Sequence, residues 1–568
     1  MGDGPGSSIT LISRRDLLRI AASGALSWPL GTRLAALEAT TPETLYNGIR
    51  LGSPWPPRLK YPNEHPVLPP YLLDPPAIVP IDVGRQLFVD DFLIEETSLL
   101  RTWHRPDYHP ANPILRPQTE WELRDDVSER TGQPRNPSAM VFSDGVFFDP
   151  IDRLFKMWYM AGYGAFTCLA VSRDGITWER PAFDVVPGSN IVTTVFRDSS
   201  TVWLDLDAAK PSERFKMTMW YDHRLLMLTS PDGVHWSEVG ETGGVDDRST
   251  FFRNPFRKVW VFSLRANENE SVLSGRYRQY WEDAEFTAAR NWSGRPAVAW
   301  VKADSKDFTR PGIAATSELY NLDCVAYESL MLGLFSVWRG ESNTREKINE
   351  VAIGFSRDGF HWHRPDRETF LGVSDTEGSW NWANVQSAGG GCLVVGDKLH
   401  FYVSGRQGRP GTSAPGVCST GLATLRRDGF ASMDWLPEEA RNRRIGTTAD
   451  GTLVTRLLTF RGGHLFVNAD LRGGELRVEV LDRSGTVITP FTQAACEPVG
   501  GDGTRLAVRW RQGSLAELAG QPIRFRFTMT HGRLFAFWVS QWPTGESGGY
   551  PAAGGPEFAG TADTRKSS

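Results

Sequence analysis

The 568-residue sequence predicts an all-β protein in which a five-bladed β-propeller is followed by a C-terminal β-sandwich. Three observations predict this fold class. A short motif returns five times along the middle of the chain, aromatic strand patterns precede each copy, and a different alternation begins after about residue 447. The length also exceeds what one hydrophobic core usually organises, so two folded units are expected.

The repeated motif is S-x-D-G-x-x-W, complete in three places and partial in two. Asp-Gly supplies the left-handed conformations of a tight turn, and a Trp three residues after the Gly can pack over it. Asp174, Asp232 and Asp358 are therefore assigned to turns. The five copies begin at Ser172, Ser230, Ser305, Ser356 and Arg426.

Two strand segments precede each copy, so each repeat has room for the four strands of a propeller blade. An all-β sandwich with chance Asp-Gly turns is the alternative interpretation. The extended run from Leu87 to Leu93 is expected to pair with the last blade and close the ring, which removes exposed sheet edges. The aromatic segments before the turns are Phe155–Tyr159, Phe215–Tyr221, Val259–Phe262, Leu332–Trp338 and Leu399–Tyr402.

Composition shifts divide the chain further. Arg14 and Arg15 precede a short apolar stretch and resemble a twin-arginine export signal, which predicts a periplasmic or extracellular protein. Eleven prolines between residues 41 and 80 predict an extended linker without helix. The resulting segments are a signal at 1–39, the linker at 40–84, the propeller at 85–446, the sandwich at 447–543 and a disordered Gly-, Ala-, Ser- and Pro-rich tail at 544–568.

Charge and motif content exclude several classes of function. The 62 basic and 67 acidic residues give a net charge of −5 without like-charged blocks, which disfavours nucleic acid as a partner. No apolar run of membrane-spanning length occurs. The five cysteines are scattered without a CxxC pair, and no phosphate-binding or metal-binding motif is found, so no cofactor and no metal are predicted. The 21 tryptophans are typical of strand-rich cores and of sugar-stacking surfaces.

Acidic residues stand just before the predicted inner strands of four blades. In a propeller these strands lie around the central channel, so their acids are expected to converge, and crowding raises the pKa of one member. Asp246 and Asp247 are adjacent in the third blade, and the candidate catalytic acids are Asp144, Asp198, Asp247, Asp323 and Glu328.

Other side chains near these acids are candidates for substrate binding. The arginines are expected to moderate repulsion or bind hydroxyl groups, and Trp382 to stack on a sugar ring. Each has a structural alternative, because Asp and Arg often cap turns or form ion pairs, and a buried Trp often belongs to the core. The candidates are Arg135, Arg197, Arg248, Trp382, Asn384 and Gln386.

Arg197-Asp198-Ser199, directly before the strand Thr201–Trp203, resembles the Arg-Asp-Pro motif of invertase and levanase enzymes, glycoside hydrolase family 32, with Ser in place of Pro. The stretch Asn112–Pro117 with Trp121 resembles the first blade of the related arabinanase-like enzymes of family 43. This resemblance implies a five-bladed propeller glycosidase.

The same resemblance implies roles for three acids. Asp144, in Phe142-Ser-Asp-Gly145, matches the family's nucleophile in part. Asp323, followed by Cys324, stands where the family has the Glu-Cys acid, with Glu328 five residues further on. Either of these two is a candidate proton donor.

Glycoside cleavage needs one carboxylic acid to protonate the leaving oxygen and one carboxylate as nucleophile or base. The sequence therefore predicts an exported glycoside hydrolase acting on a glycan, furanosidic ones such as fructan or arabinan included. The alternatives are a carbohydrate-binding propeller without catalysis and a protein-interaction scaffold. An uncharged channel mouth would favour the scaffold.

Overall fold

The computed structural model describes residues 42–59, 62–128, 132, 135–268, 275–292, 295–310, 313–314, 316–435 and 450–565. The predicted export signal at 1–39 lies outside the described residues. Within them, no helix is long and apolar enough to cross a membrane.

Strands account for most of the regular structure, and helix is confined to short pieces. Pro70–Leu73 forms one turn of α-helix inside the segment predicted to be extended, which corrects that prediction. A proline is tolerated in the first turn of a helix because the backbone N–H groups of that turn have no hydrogen-bond partner within the helix, so the N–H that proline lacks is not missed. Single segments of 3₁₀-helix cover Pro211–Glu213, Phe286–Asn291 and Leu515–Leu518.

Five antiparallel sheets form the blades of a β-propeller, as predicted. The first strand of each blade contacts a neighbouring blade and is called the inner strand here. In blades 1, 2 and 3 the other strands follow it in chain order. Blade 1 comprises Ala139–Asp149, Leu154–Ala161, Phe166–Ser172 and Ile191–Thr193; blade 2 comprises Ser200–Leu204, Phe215–Tyr221, Arg224–Ser230 and Ser237–Glu241; blade 3 comprises Thr250–Asn254, Val259–Glu268, Gly275–Asp283 and Val298–Lys302.

The last two blades recruit strands from distant parts of the chain. Tyr550–Pro551 pairs with the end of the inner strand of blade 4, and Asp107–Tyr108 is the outer strand of blade 5. Blade 4 otherwise contains Glu318–Glu328, Leu330–Ser342 and Arg345–Ser356, and blade 5 contains Asn384–Ser387, Leu393–Val395, Lys398–Arg406 and Cys418–Arg426.

The strand that closes the ring differs from the predicted one. Asp107–Tyr108 pairs with the last strand of blade 5, whereas Gln86–Leu87 pairs with Arg533–Ser540 of the C-terminal sheet. The run after residue 86 is apolar on both sides because it lies between two cores: Val89 packs in the propeller core and Phe88 in the core of the C-terminal sheet. An apolar pattern alone does not reveal which sheet a strand joins.

The Asp-Gly motifs form turns, as predicted. In blade 1 the Asp174 carboxylate accepts hydrogen bonds from the backbone N–H groups of Ile176 and Thr177, and Gly175 has a φ of +73°. These turns also connect blades, because the Tyr402 hydroxyl of blade 5 donates to the Gly175 carbonyl. The Trp158 indole of blade 1 donates in the same way to the Gly233 carbonyl of blade 2.

A second, nine-stranded sheet is built from both ends of the chain. Its longest strand, His464–Leu481, pairs with Arg533–Ser540 along its first half and with Arg524–Met529 along its second half. Ile94–Thr97 and Leu100–Trp103, assigned to the propeller from the sequence, also belong to this sheet, which corrects the assignment. The remaining strands are Gln86–Leu87, Ala431–Asp434, Gly451–Thr455 and Val499–Val508, and a separate parallel pair joins Val79–Pro80 to Leu458–Thr459. The sandwich arrangement of this part stays a prediction.

The last segment packs against the propeller, so the prediction of a disordered tail is wrong for the residues described to 565. Phe558 is buried in the propeller core. The abundant glycines allow close approach: a Cβ on Gly549 would collide with the Glu328 carboxylate, and one on Gly555 with the Val394 carbonyl. Residues 544–565, called the C-terminal strap below, thus pack closely although they contain few apolar side chains.

Candidate functional site

The guanidinium of Arg248 lies at the centre of the propeller. Arg248 stands two residues before the inner strand of blade 3, and its backbone has a φ of +58°. Its Nη1 donates to the Ser143 hydroxyl of blade 1 at 2.6 Å, and its backbone N–H donates to the Ser199 hydroxyl of blade 2 at 2.9 Å. Its Cζ lies 5.7 Å from the ring centroid of Tyr320 in blade 4. Contacts to three other blades place this cation on the channel axis.

Asp144 is fully buried in a bulge of the inner strand of blade 1. The strand leaves the ladder between Met140 and Gly145, which turns residues 142–144 out of the pleat. Both Asp144 oxygens accept hydrogen bonds from Nη2 of Arg197, at 2.8 and 2.9 Å. Burial nevertheless raises the pKa of Asp144 to about 6, against the opposing effect of Arg197. Arg197 therefore moderates the charge of Asp144, as expected.

Asp323 lies on the inner strand of blade 4, also buried. Its Oδ2 accepts hydrogen bonds from the Ser387 hydroxyl of blade 5 at 2.6 Å and from the Asn321 amide at 2.9 Å. Burial raises the pKa of Asp323, and the charge of Arg248 opposes this shift. Burial is thus the main cause of the raised pKa at Asp144 and Asp323, whereas the expected cause was crowding of like charges.

Asp198 differs from these two acids because it is half-exposed. Its Oδ1 has no hydrogen-bond partner among the described residues. Its negative charge acts on the Arg248 guanidinium and on the hydroxyls of Tyr320 and Tyr163. Among the described residues Asp198 thus has no ion-pair partner, and its unpartnered Oδ1 is a buried atom.

Asp247 is also half-exposed, with 29% of its side chain accessible, but it is an ion-pair partner of Arg265. The neighbouring Asp246 lies 3.8 Å from the same guanidinium. The acidic pair of blade 3 thus forms a compact cluster with one arginine at the mouth.

Sequence reasoning missed Glu346, which begins the third strand of blade 4. Its Oε1 accepts a hydrogen bond from Arg406 at 2.6 Å, and its Oε2 has no hydrogen-bond partner among the described residues. Burial raises the pKa of this carboxyl. Burial raises the pKa of the Tyr163 hydroxyl, and the charges of Glu346 and Asp198 add to this shift. The signal that could have found Glu346 is the long charged hairpin between Leu330 and Ser356, which lies outside the inner strands.

Tyr320 and Lys347 were also missed. The Lys347 ammonium donates to the Tyr320 hydroxyl at 3.3 Å. The pKa of Tyr320 is lowered although burial acts to raise it, because the positive charges of Lys347, Arg406 and Arg248 together outweigh burial. The mouth therefore contains a tyrosine held among three cations.

Glu328 is not part of this site, which corrects its assignment as a proton donor. It lies at the other end of the inner strand, five residues and so about 16 Å beyond Asp323 at the usual rise of a strand. Its carboxylate is buried against Arg85 at 3.5 Å and Arg427 at 3.1 Å, and it accepts a hydrogen bond from the Ser547 hydroxyl. Glu328 joins the propeller to the C-terminal strap.

Two residues that were predicted to bind substrate make contacts with other parts of the protein. Arg135 forms an ion pair with Asp126 at 3.5 Å. Trp382 is only 6% exposed, with the Arg345 guanidinium 4.5 Å from its ring centroid and Gly408 packed against it. The ring belongs to the core and offers no free face for a sugar, which corrects the stacking prediction.

Asn384 and Gln386 lie on the inner strand of blade 5, as expected, and are buried. The Gln386 amide donates to the Asn384 carbonyl oxygen at 2.8 Å, and the Asn384 amide donates to the Lys347 carbonyl at 2.9 Å. These bonds fix the backbone beside Glu346. Among the described residues, no group of three or more His, Cys, Asp or Glu side chains is arranged to hold a metal ion.

No known protein-family model matches the sequence. No curated protein matches it either. Among solved structures, an exo-β-1,3-galactanase from Phanerochaete chrysosporium, with galactose, matches 70% of this chain and 95% of its own at 12% identity, with a TM-score of 0.32.

Two further solved structures are similar at the same level. A thermostable family-43 glycoside hydrolase matches 53% of this chain and 98% of its own at 10% identity, with a TM-score of 0.35. A fructofuranosidase from Schwanniomyces occidentalis, complexed with fructosylnystose, matches 73% of this chain and 96% of its own at 12% identity, with a TM-score of 0.33. These are the two kinds of enzyme that the sequence resembles.

Proposed function

We propose that this protein is an exported glycoside hydrolase that cleaves a glycan in the mouth of the propeller channel. The observation that carries the proposal is the arrangement of acids from different blades around Arg248. Hydrolysis of a glycosidic bond needs a proton donor and a separate carboxylate on the opposite side of the bond. Asp198 of blade 2 and Glu346 of blade 4 meet this need best.

The environments of these two acids suit different roles. Burial raises the pKa of Glu346, which favours the protonated form that a general acid requires. Asp198 is partly exposed and lacks an ion-pair partner among the described residues, so we assign to it the carboxylate that attacks the anomeric carbon or activates water.

The other predicted acids have supporting roles in this proposal. Asp144 is wholly buried and held by Arg197, and Asp323 is held by Ser387. Both side chains fix the inner strands below the mouth. Asp247 is neutralised by Arg265 at the rim.

A carbohydrate-binding propeller without catalysis is the second candidate function. The burial of Asp144 favours it, because this acid matches the nucleophile position of the resembling enzymes and is closed off by Arg197. A protein-interaction scaffold is disfavoured by the charged mouth.

The test is release of reducing ends from a panel of fructans, arabinans, galactans and acidic glycans. Wild-type protein is expected to cleave at least one of them, and Asp198→Asn protein to cleave it at least 100-fold more slowly. Asp184→Asn is the matched control, because Asp184 has a side chain 81% exposed on the outside of blade 1. Binding of a glycan without release of reducing ends by the wild type would favour the second candidate.

A further inference from the structure

Arg248 carries a pair of hydrogen-bond donors without partners. Its side chain is fully buried, with a relative exposure of 0%. Nη1 donates to Ser143, whereas neither Nε nor Nη2 has a hydrogen-bond partner among the described residues. The Phe142 ring lies 3.9 Å from the Arg248 Cζ and covers one face of the guanidinium.

Three neighbouring arginines have partners of a kind that Arg248 lacks. Arg197 binds Asp144, and Arg406 binds Glu346. Arg278 has no carboxylate partner in the described part of the chain, but its groups donate to Ser263 and to backbone carbonyls, one of which is that of Arg248. Arg339 also has Nε and Nη2 without hydrogen-bond partners among the described residues, but its Nε lies 3.6 Å from the Glu350 carboxylate, whereas Arg248 has no carboxylate partner among them.

The two unpartnered atoms form the side of the guanidinium that binds anions. The N–H bonds of Nε and Nη2 point in nearly the same direction and match two oxygens of a carboxylate or a sulfate. A buried charged donor without a partner is unfavourable, so such a group favours binding of an anion that replaces the lost hydration. Arginine, with its planar fork, is the side chain suited to this contact.

A second cation lies close to Arg248. Lys347 contacts Tyr320, whose ring is also next to Arg248, and Lys347 has no carboxylate partner within the described residues. Lys347 is partly exposed, whereas the side chain of Arg248 is fully buried. Arg248 and Lys347 therefore both contact Tyr320, with their charged groups 5.7 and 5.4 Å from the centroid of its ring.

We propose that Arg248 and Lys347 form a subsite for an anionic substituent of the glycan, a uronic acid carboxylate or a sulfate ester. This inference rests on the proposed function, since it names the class of substrate that the same channel takes. The acidic group binds the Nε and Nη2 fork of Arg248, while the sugar ring lies toward Asp198 and Glu346. Neutral fructan and arabinan lack the group that this fork recognises.

The test measures binding by calorimetry with four oligosaccharide preparations. Two are acidic, one rich in uronic acids and one sulfated, and two are their neutral counterparts made by carboxyl reduction and by desulfation. Wild-type protein is expected to bind one acidic preparation at least 10-fold more tightly than its neutral counterpart. Which acidic preparation binds identifies the anion. Equal affinity for acidic and neutral forms, or no binding of any preparation, would overturn the subsite.

The variant Arg248→Lys keeps the charge and removes the fork. It is expected to weaken acidic binding about 10- to 100-fold more than neutral binding. Arg345→Lys is the matched control, because it makes the same change at an arginine that donates to the Trp382 carbonyl and covers its ring. An equal loss in both variants would contradict a role for the fork. If Arg248→Lys fails to fold, the ratio of acidic to neutral binding by the wild type still decides the matter.

The same oligosaccharides separate this inference from the proposed function. Tight acidic binding without release of reducing ends would remove the hydrolase and keep the subsite. Cleavage of a neutral glycan, with equal binding of acidic and neutral forms, would keep the hydrolase and remove the subsite.

Discussion

The Nη2 atom of Arg197 donates to both carboxylate oxygens of Asp144, and both side chains are completely buried. This ion pair joins blade 1 to blade 2 beneath the channel mouth. A buried pair is weak evidence of net stabilisation, because desolvation of two charges offsets their attraction. Removing one partner, however, leaves the other charge buried and uncompensated.

Arg197→Met is therefore expected to lower the free energy of unfolding by about 3 to 5 kcal/mol at pH 8. Urea unfolding followed by tryptophan fluorescence measures this change. The double variant Asp144→Leu with Arg197→Met is the control, and it is expected to lose less than the single variant because no charge is left unpaired. A single variant that loses less than about 1 kcal/mol would show that the pair is not a structural element.

Asp144 also makes stability depend on pH. Its pKa in the folded protein is about 6, against 3.8 for the ordinary group, because burial disfavours the charge. The folded state thus holds this proton where the unfolded state has lost it, so stability falls as the pH rises from about 4 through 6. Asp144→Asn is expected to remove up to about 3 kcal/mol of this fall. Urea unfolding at a series of pH values measures it, and an unchanged slope in the variant would contradict a raised pKa.

The C-terminal strap is expected to tolerate no side chain at residue 549. Gly549→Ala places a methyl group against the Glu328 carboxylate and the Gly84 backbone, and overpacking of this kind costs about 1 to 3 kcal/mol. Gly560→Ala is a matched control in the same strap, since no atom lies within 4 Å of its added Cβ. Thermal unfolding is expected to show a lower Tm for the first variant only, and equal values for both would mean that the strap is not docked as described.

Glu346→Gln is expected to reduce cleavage by about 100- to 10,000-fold, because the amide cannot donate the proton that the leaving oxygen needs. The wild-type rate is also expected to fall on the alkaline side as Glu346 ionises, at a pH above the ordinary range for Glu, since burial raises its pKa. Rates measured across pH with the substrate identified from the panel test both points. An aryl glycoside with a good leaving group is expected to restore much of the rate of Glu346→Gln, and failure of this rescue would argue against a general acid.

The number of blades was predictable from the sequence because the Asp-Gly turns are local. Residues such as Ser172 and Asp174 form their turn with neighbours two or three positions away, so the motif is visible without the fold. The closing strand was not predictable in this way. Asp107–Tyr108 and the run after Gln86 are both extended, and only the partner sheets distinguish them.

The site was predictable in part for a similar reason. Asp144, Asp198 and Asp323 were found because the inner strands of a propeller surround one axis. Glu346 was missed because it reaches the mouth from a hairpin whose strands are 13 and 12 residues long, where those of blade 2 are 7 and 7. Glu328 was misplaced because its distance from Asp323 along the strand carries it to the opposite end of the blade.

The most direct test of the account is a crystal structure of Glu346→Gln protein with an oligosaccharide that the wild type cleaves. The account predicts a glycosidic oxygen within hydrogen-bond distance of residue 346 and an anomeric carbon facing the Asp198 carboxylate, in the mouth above Arg248. An oligosaccharide bound on the C-terminal sheet or on the outer edges of the blades, with the mouth free of sugar, would contradict it.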